Sequence, residues 1–163
     1  MKLRYSFFLI SLFFSCTESN EKLLFENVYS FEQQNAPHDY SILKGNYIII
    51  IVLNPLDCEE CDQIFSSLKQ FEANKNISIL PVIGDLESTS PNMKLNIEFM
   101  RLRMEYNLDA RFYHENDLFA ELYNKGKQAR IFLLQIKDEQ ILFDSYKDNE
   151  KWFEKINDLI ADN

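Results

Sequence analysis

Tyr47-Ile48-Ile49-Ile50-Ile51-Val52-Leu53, running into Asn54-Pro55-Leu56-Asp57-Cys58-Glu59-Glu60-Cys61, is the stretch on which the fold turns. Tyr47 to Leu53 is a continuous, β-branched, apolar run with no polar alternation. Its length and composition favour a strand buried on both faces, as in parallel sheets. Asn54 and Pro55 end it. From Cys58 to about Asn74 the apolar positions Cys61, Ile64, Phe65, Leu68 and Phe71 recur at spacings of three and four, the stripe of an amphipathic helix. Asp57 and Glu60 stand in the positions of a capping box at its start.

Working outward, Ile77 to Ile83 (ISILPVI) reads as a second strand. Pro81 removes a ladder donor, so the strand is expected either at an edge or with its far half unpaired on one side. Ser90 and Pro91 supply an N-cap and a first-turn proline for a helix to about Tyr106. That helix has two apolar stripes: Leu95, Phe99, Leu102 and Tyr106, and Met93, Ile97, Met100 and Met104. A helix apolar on two faces is expected to be sandwiched between elements; the alternative is that one face awaits a partner. Arg111 to Tyr113 reads as a brief extended piece and Asp117 to Asn124 as a short helix. Ala129 to Ile136 and Gln140 to Tyr146 flank Lys137-Asp138-Glu139, the signature of an antiparallel hairpin. A final amphipathic helix carries Trp152, Phe153, Ile156, Leu159 and Ile160. The order is a βαβ unit, a helical insert, then ββα. The aromatic-rich stretch from Leu24 to Tyr47 reads as an added strand and loop over the core.

Composition agrees with one packed domain. Of 163 residues, 46% are apolar and 26% charged, with 14 Phe and 8 Tyr against 3 Gly and 4 Pro. Net charge is −9 and no Lys/Arg cluster stands out, which excludes a nucleic-acid binder. Lys2 and Arg4, then the apolar Phe7 to Phe14 broken only by Ser11, then Ser15 and Cys16, form a secretory signal, too short at about half of the roughly 20 residues a bilayer span needs. With Cys16 directly after a small residue, the segment resembles a bacterial lipoprotein signal, although Phe13 and Phe14 replace the usual Leu and small residue. The resemblance implies that residues 1–15 are removed, Cys16 is lipidated and residues 16–22 form a tether. The domain, 23–163, would then sit in the cell envelope on the periplasmic or outer side of a membrane. The alternative is an ordinary signal peptide that leaves Cys16 removed or as a stray thiol.

With Cys16 assigned to lipid, two cysteines remain, as Cys58-Glu59-Glu60-Cys61. Free amides at a helix start stabilise a thiolate, and a second cysteine one turn on is within disulfide reach. A C-x-x-C between strand and helix, near a βαβ pattern, points to thiol–disulfide chemistry. Together with Tyr106-Asn107-Leu108, Asp117 to Tyr123, and Ile131-Phe132-Leu133-Leu134 before the Lys-Asp-Glu turn, it makes the chain from about Tyr47 onward resemble the thioredoxin fold superfamily, in its TlpA-like or peroxiredoxin-like branch.

That resemblance implies a three-layer α/β/α domain with a central mixed sheet. It implies Cys58 as the attacking and Cys61 as the resolving cysteine, protein thiols and disulfides as clients, an unidentified redox partner, and no cofactor or metal. The chain departs from the family pattern in three places. Asp57 stands where Trp is usual, Val52 where thioredoxin has a buried acid, and Ala129, after Gln128, at the cis-proline position. A non-proline cis bond costs about 2.5–4 kcal/mol, so a trans Gln128–Ala129 bond is expected. Asp57, Glu59 and Glu60 oppose thiolate formation at Cys58, though acids are also favoured in any first helical turn. Two other readings stay open: a non-catalytic binding lipoprotein with a structural disulfide, and a copper or zinc site of both thiolates with His38 or His114.

Overall fold

A computed structural model of the chain describes residues 24, 26, 45–84, 93–107, 113–114, 119–120, 122–123, 129–148 and 151–161. The elements are β1 (Tyr47–Leu53), α1 (Cys61–Leu68), β2 (Ile77–Ile83), α2 (Met93–Glu105), β3 (Tyr113–His114), β4 (Ala129–Gln135), β5 (Gln140–Asp144) and α3 (Trp152–Ala161). The five strands form one mixed sheet in the order β3-β2-β1-β4-β5. β1 is central, parallel to β2 from Tyr47↔Ile77 to Leu53↔Ile83 and antiparallel to β4 from Tyr47↔Gln135 to Leu53↔Ala129. Flanked on both edges and covered on both faces, all seven of its residues are buried. The apolar run was legible for this reason.

Alternation along β1 sorts the core into two layers. Tyr47, Ile49, Ile51 and Leu53 pack with Ile64, Phe65 and Leu68 of α1, Phe99 and Leu102 of α2, and Ile156 of α3. Ile48, Ile50 and Val52 pack on the opposite face with Leu24, Phe119, Leu122 and Tyr123. The expected three-layer α/β/α arrangement is present. Each buried Ile contributes about 1.5–3 kcal/mol relative to an exposed one. Gly84, just after β2, admits the ring of Phe119 to the second layer; a Cβ there would overlap that ring.

Several expectations need correction. The helix expected from Cys58 to about Asn74 is shorter, beginning at Cys61 and passing into turns after Leu68. Pro81 does not mark an unpaired far half. β2 pairs with β3 through Val82 and Ile83, just after the proline, while its near half has only β1 beside it among the described residues. Leu24 and Glu26 are helical rather than extended, although Leu24 does pack over the core. α2 is not sandwiched: Leu95, Phe99 and Leu102 are buried, whereas Met93, Ile97, Met100 and Met104 face outward. Asn107, at φ 48°, ends that helix in the left-handed conformation that Asn tolerates. The hairpin forms as expected, with Glu139 at φ 50° in its turn. Residues 119, 120 and 122 of the expected Asp117–Asn124 helix are helical. Outside the described residues lie the signal segment, Cys16, the tether, His38, Ser90, Pro91 and Gln128.

Candidate functional site

Asn54 ends β1 and organises the loop behind it. The side chain is 6% exposed. Its Oδ1 accepts the Leu56 amide at 3.0 Å, its carbonyl accepts the Asp57 amide at 3.1 Å, and its Nδ2 donates to Asp57 Oδ2 at 3.0 Å. This Asn-centred turn is the local alternative to continuing the strand. It delivers Cys58 to the end of the central strand, and the Cys61 amide then reaches the Cys58 carbonyl at 3.5 Å.

Cys58 and Cys61 are joined by a disulfide, with Cα atoms 5.3 Å apart. The two sulfurs have different surroundings. Cys61 is 4% exposed and belongs to the α1 core stripe, whereas Cys58 is half-buried at its margin. This is the asymmetry the sequence suggested. Cys58 lies three residues before α1 rather than in its first turn. The expected capping box is also absent: Glu60 is the N-cap but makes no side-chain cap bond, and the Asp57 carboxylate accepts from Asn54. Asp57, Glu59 and Glu60 are all exposed around the disulfide.

One further acid, Asp62, follows Cys61. Arg101 Nη2 of α2 approaches its Oδ1 at 3.9 Å, and the Tyr106 phenol bonds to it. Burial, then that bond and the nearby negative charge, raise the Tyr106 hydroxyl above the usual phenol range. α2 is thereby tied to the first turn of α1.

Ala129, the residue expected at a cis-proline position, opens β4 directly opposite Leu53 and packs on the same core layer as Cys58. Val52 points to the other layer, and its partner across β4 is Arg130. Arg130 Nε and Nη2 grip Asp144 Oδ1 and Oδ2 at 2.9 and 2.7 Å, and its Nη1 donates to the Leu122 carbonyl at 3.1 Å. The guanidinium also lies over the rings of Phe132 and Tyr146, 4.6 and 4.9 Å from their centroids. The buried carboxylate of Asp144 thus stands on β5, with β4 between it and the strand of Val52, and is paired. Burial pushes the Asp144 carboxyl up; the Arg130 hydrogen bonds, the Tyr146 amide and the Arg130 and Lys147 charges outweigh it and hold the group below the usual carboxylate range. Burial, then the Tyr146 and Asp57 charges, raise the Tyr123 phenol.

Sequence reading missed Asn54 as loop organiser, although Asn-Pro after a strand is a turn signal. It also missed Arg130–Asp144, a pair that only the hairpin register brings together. Among the described residues no group of three or more His, Cys, Asp and Glu side chains gathers as a metal site. The backbone of His114 lies in β3, paired with Ile83.

No protein-family model matches the chain, and no curated protein does. Solved structures do. A thioredoxin-like protein from Aeropyrum pernix superposes with a TM-score of 0.58 at 13% identity, over 76% of this chain and 83% of that one. A secreted disulfide oxidoreductase of Mycobacterium tuberculosis gives 0.51 at 18% identity, over 74% and 84%. An exposed lipoprotein thioredoxin of Streptococcus pneumoniae gives 0.51 at 10% identity, over 76% and 91%. At these identities the likeness is one of fold.

Proposed function

We propose that this chain, which has the thioredoxin-like fold, exchanges thiols and disulfides with other proteins through Cys58 and Cys61, from a lipid tether at Cys16 outside the cytoplasm. The observation that carries the chemistry is the disulfide itself: it closes the turn after the central strand, with one sulfur half-buried and the other in the core. In the reduced form, the Cys58 thiolate attacks a client disulfide, making a mixed disulfide and expelling one client thiolate. The Cys61 thiolate then attacks Cys58 Sγ, releases the second client thiolate and closes the Cys58–Cys61 bond. Two electrons pass to the client, and a partner dithiol returns the pair to its reduced form. The same steps in reverse oxidise a client.

Ala129 favours a second reading, in which the fold and disulfide serve binding without turnover, because the position opposite Leu53 lacks proline. Thiol titration with and without reductant, followed by an insulin reduction assay, separates the two. Turnover abolished by Cys58→Ser supports exchange, whereas a persistent disulfide without turnover supports binding alone. The location rests on Ser15-Cys16 at the end of the short apolar segment. Cys16→Ala is expected to move the chain from the membrane to the soluble fraction, and a variant that stays membrane-bound overturns the lipid anchor.

A further inference from the structure

The outward face of α2 carries Met93, Ile97, Met100 and Met104, which are 75%, 63%, 38% and 75% exposed. Their spacings of four, three and four are those of an a/d seam. At 3.6 residues per turn the stripe lies opposite the buried Leu95, Phe99 and Leu102, and it runs for roughly 16 Å. Three of the chain's four methionines stand on it, and such flexible thioethers pack readily against one another.

What could cover this face is written in the charges beside it. One flank of the stripe carries Lys94, Glu98, Arg101 and Glu105, in that order. Arg101 pairs with Glu98 at 2.8 Å and also with Glu105 along its own helix, and reaches Asp62 of α1 at 3.9 Å. Four alternating charges have a simple property: read backwards, the row is its own complement. Two copies of α2 laid antiparallel about a two-fold axis bring this flank against the same flank of the second copy. Lys94 then faces the second copy's Glu105, and Glu98 faces its Arg101, each twice. With the axis moved by one residue, about 1.5 Å, Met93 faces the second copy's Met104, and Ile97 its Met100. A parallel pairing would instead turn the flank toward Asn96 and Arg103, where no carboxylate of α2 stands. An anionic lipid surface is a poorer match, because the row carries no excess positive charge and the whole chain is at −9.

We propose that the outward face of α2 is a self-association surface through which two copies of this chain pair antiparallel. Four apolar side chains on one helix make less contact than the ≈ 800 Å² per partner of a standard interface, so the pairing is weak and concentration-dependent. It is independent of whether Cys58 and Cys61 turn over.

Sedimentation equilibrium of the purified full chain, from roughly 10 μM to 1 mM, tests it in the range of weak association. A monomer–dimer equilibrium is expected. Ile97→Glu places a charge on the seam and should weaken dimerisation by at least about tenfold. Lys94→Glu sets like charges against each other at two symmetric points and should also weaken it. Adding Glu105→Lys should bring the dissociation constant back to within about threefold of the parent value. Ile97, Lys94 and Glu105 are exposed, and near-UV circular dichroism verifies that each variant keeps its fold. A chain that stays monomeric throughout, a dimer indifferent to Ile97→Glu, or a double charge exchange that restores nothing overturns the proposal. So does sedimentation with phosphatidylglycerol vesicles that Ile97→Glu abolishes while no dimer forms, since the face would then belong to lipid.

Discussion

Arg130 and Asp144 meet across the β4–β5 hairpin as a two-pronged pair, at 2.9 and 2.7 Å, with Asp144 only 3% exposed. Fork-on-carboxylate geometry is the strong form of an ion pair. Through the Leu122 carbonyl the same guanidinium holds the helical turn before β4, so three segments depend on one side chain one residue from Ala129.

Removing one partner of such a pair leaves a buried charge. Arg130→Met is expected to cost about 3–5 kcal/mol at neutral pH. The pH dependence should also change sign. In the parent, the carboxyl of Asp144 is held below its unfolded value. Its contribution is therefore present above pH ~4 and is lost as acid titrates it in the folded state. In Arg130→Met burial dominates and raises that carboxyl, so stability should fall as pH rises through the range from ~4 upward. Urea unfolding at pH 4.5 and 7.5 measures this, both values chosen to bracket the titration of a raised carboxyl. A variant no less stable at the higher pH contradicts the account.

Asn54→Ala removes the acceptor for the Leu56 amide and the donor to Asp57 while leaving β1 intact. The cost should be about 1–2 kcal/mol, at about 1 kcal/mol per hydrogen bond. Because this turn delivers Cys58, the reduced variant should also close its disulfide more slowly. Stopped-flow oxidation by glutathione disulfide reads that step, and an unchanged closure rate would separate Asn54 from the site.

For the cysteines, alkylation of the reduced chain should label Cys58 before Cys61, since Cys61 is buried in the α1 stripe. Glu59→Gln with Glu60→Gln should speed Cys58 labelling at neutral pH, with the gain shrinking in high salt, as exposed charges are screened over about 10 Å at 0.1 M. Mass spectrometry of quenched samples gives both orders. Faster labelling of Cys61 would reverse the assigned roles.

Gly84→Ala should destabilise by roughly 1–3 kcal/mol, because its Cβ would overlap the Phe119 ring in the second core layer. Pairing it with Phe119→Leu, a smaller side chain, should recover part of the loss. Thermal melts of the single and double variants test the coupling, and a simply additive result would place the strain elsewhere.

β1, β2 and the hairpin strands are legible in the amino-acid order alone. Their burial is written in unbroken or alternating apolar residues, and strand and helix have different periods. It also located Cys58 and Cys61, and the burial of the second, because Cys61 belongs to the apolar stripe with Ile64, Phe65 and Leu68. What it could not settle depended on neighbours. Only the strand order shows that Pro81 sits where β3 begins to pair, and only the three-dimensional packing leaves one stripe of α2 outside, since two equally apolar faces look alike in sequence. Helix α1 starts late because Asp57, which could have capped it, accepts instead from Asn54; both partners are local, and geometry alone chose between them. Arg130 and Asp144 stand fourteen positions apart as two ordinary charges. The antiparallel register joins them, and burial gives the pair its strength, because a charge removed from water depends on the partner that the fold supplies.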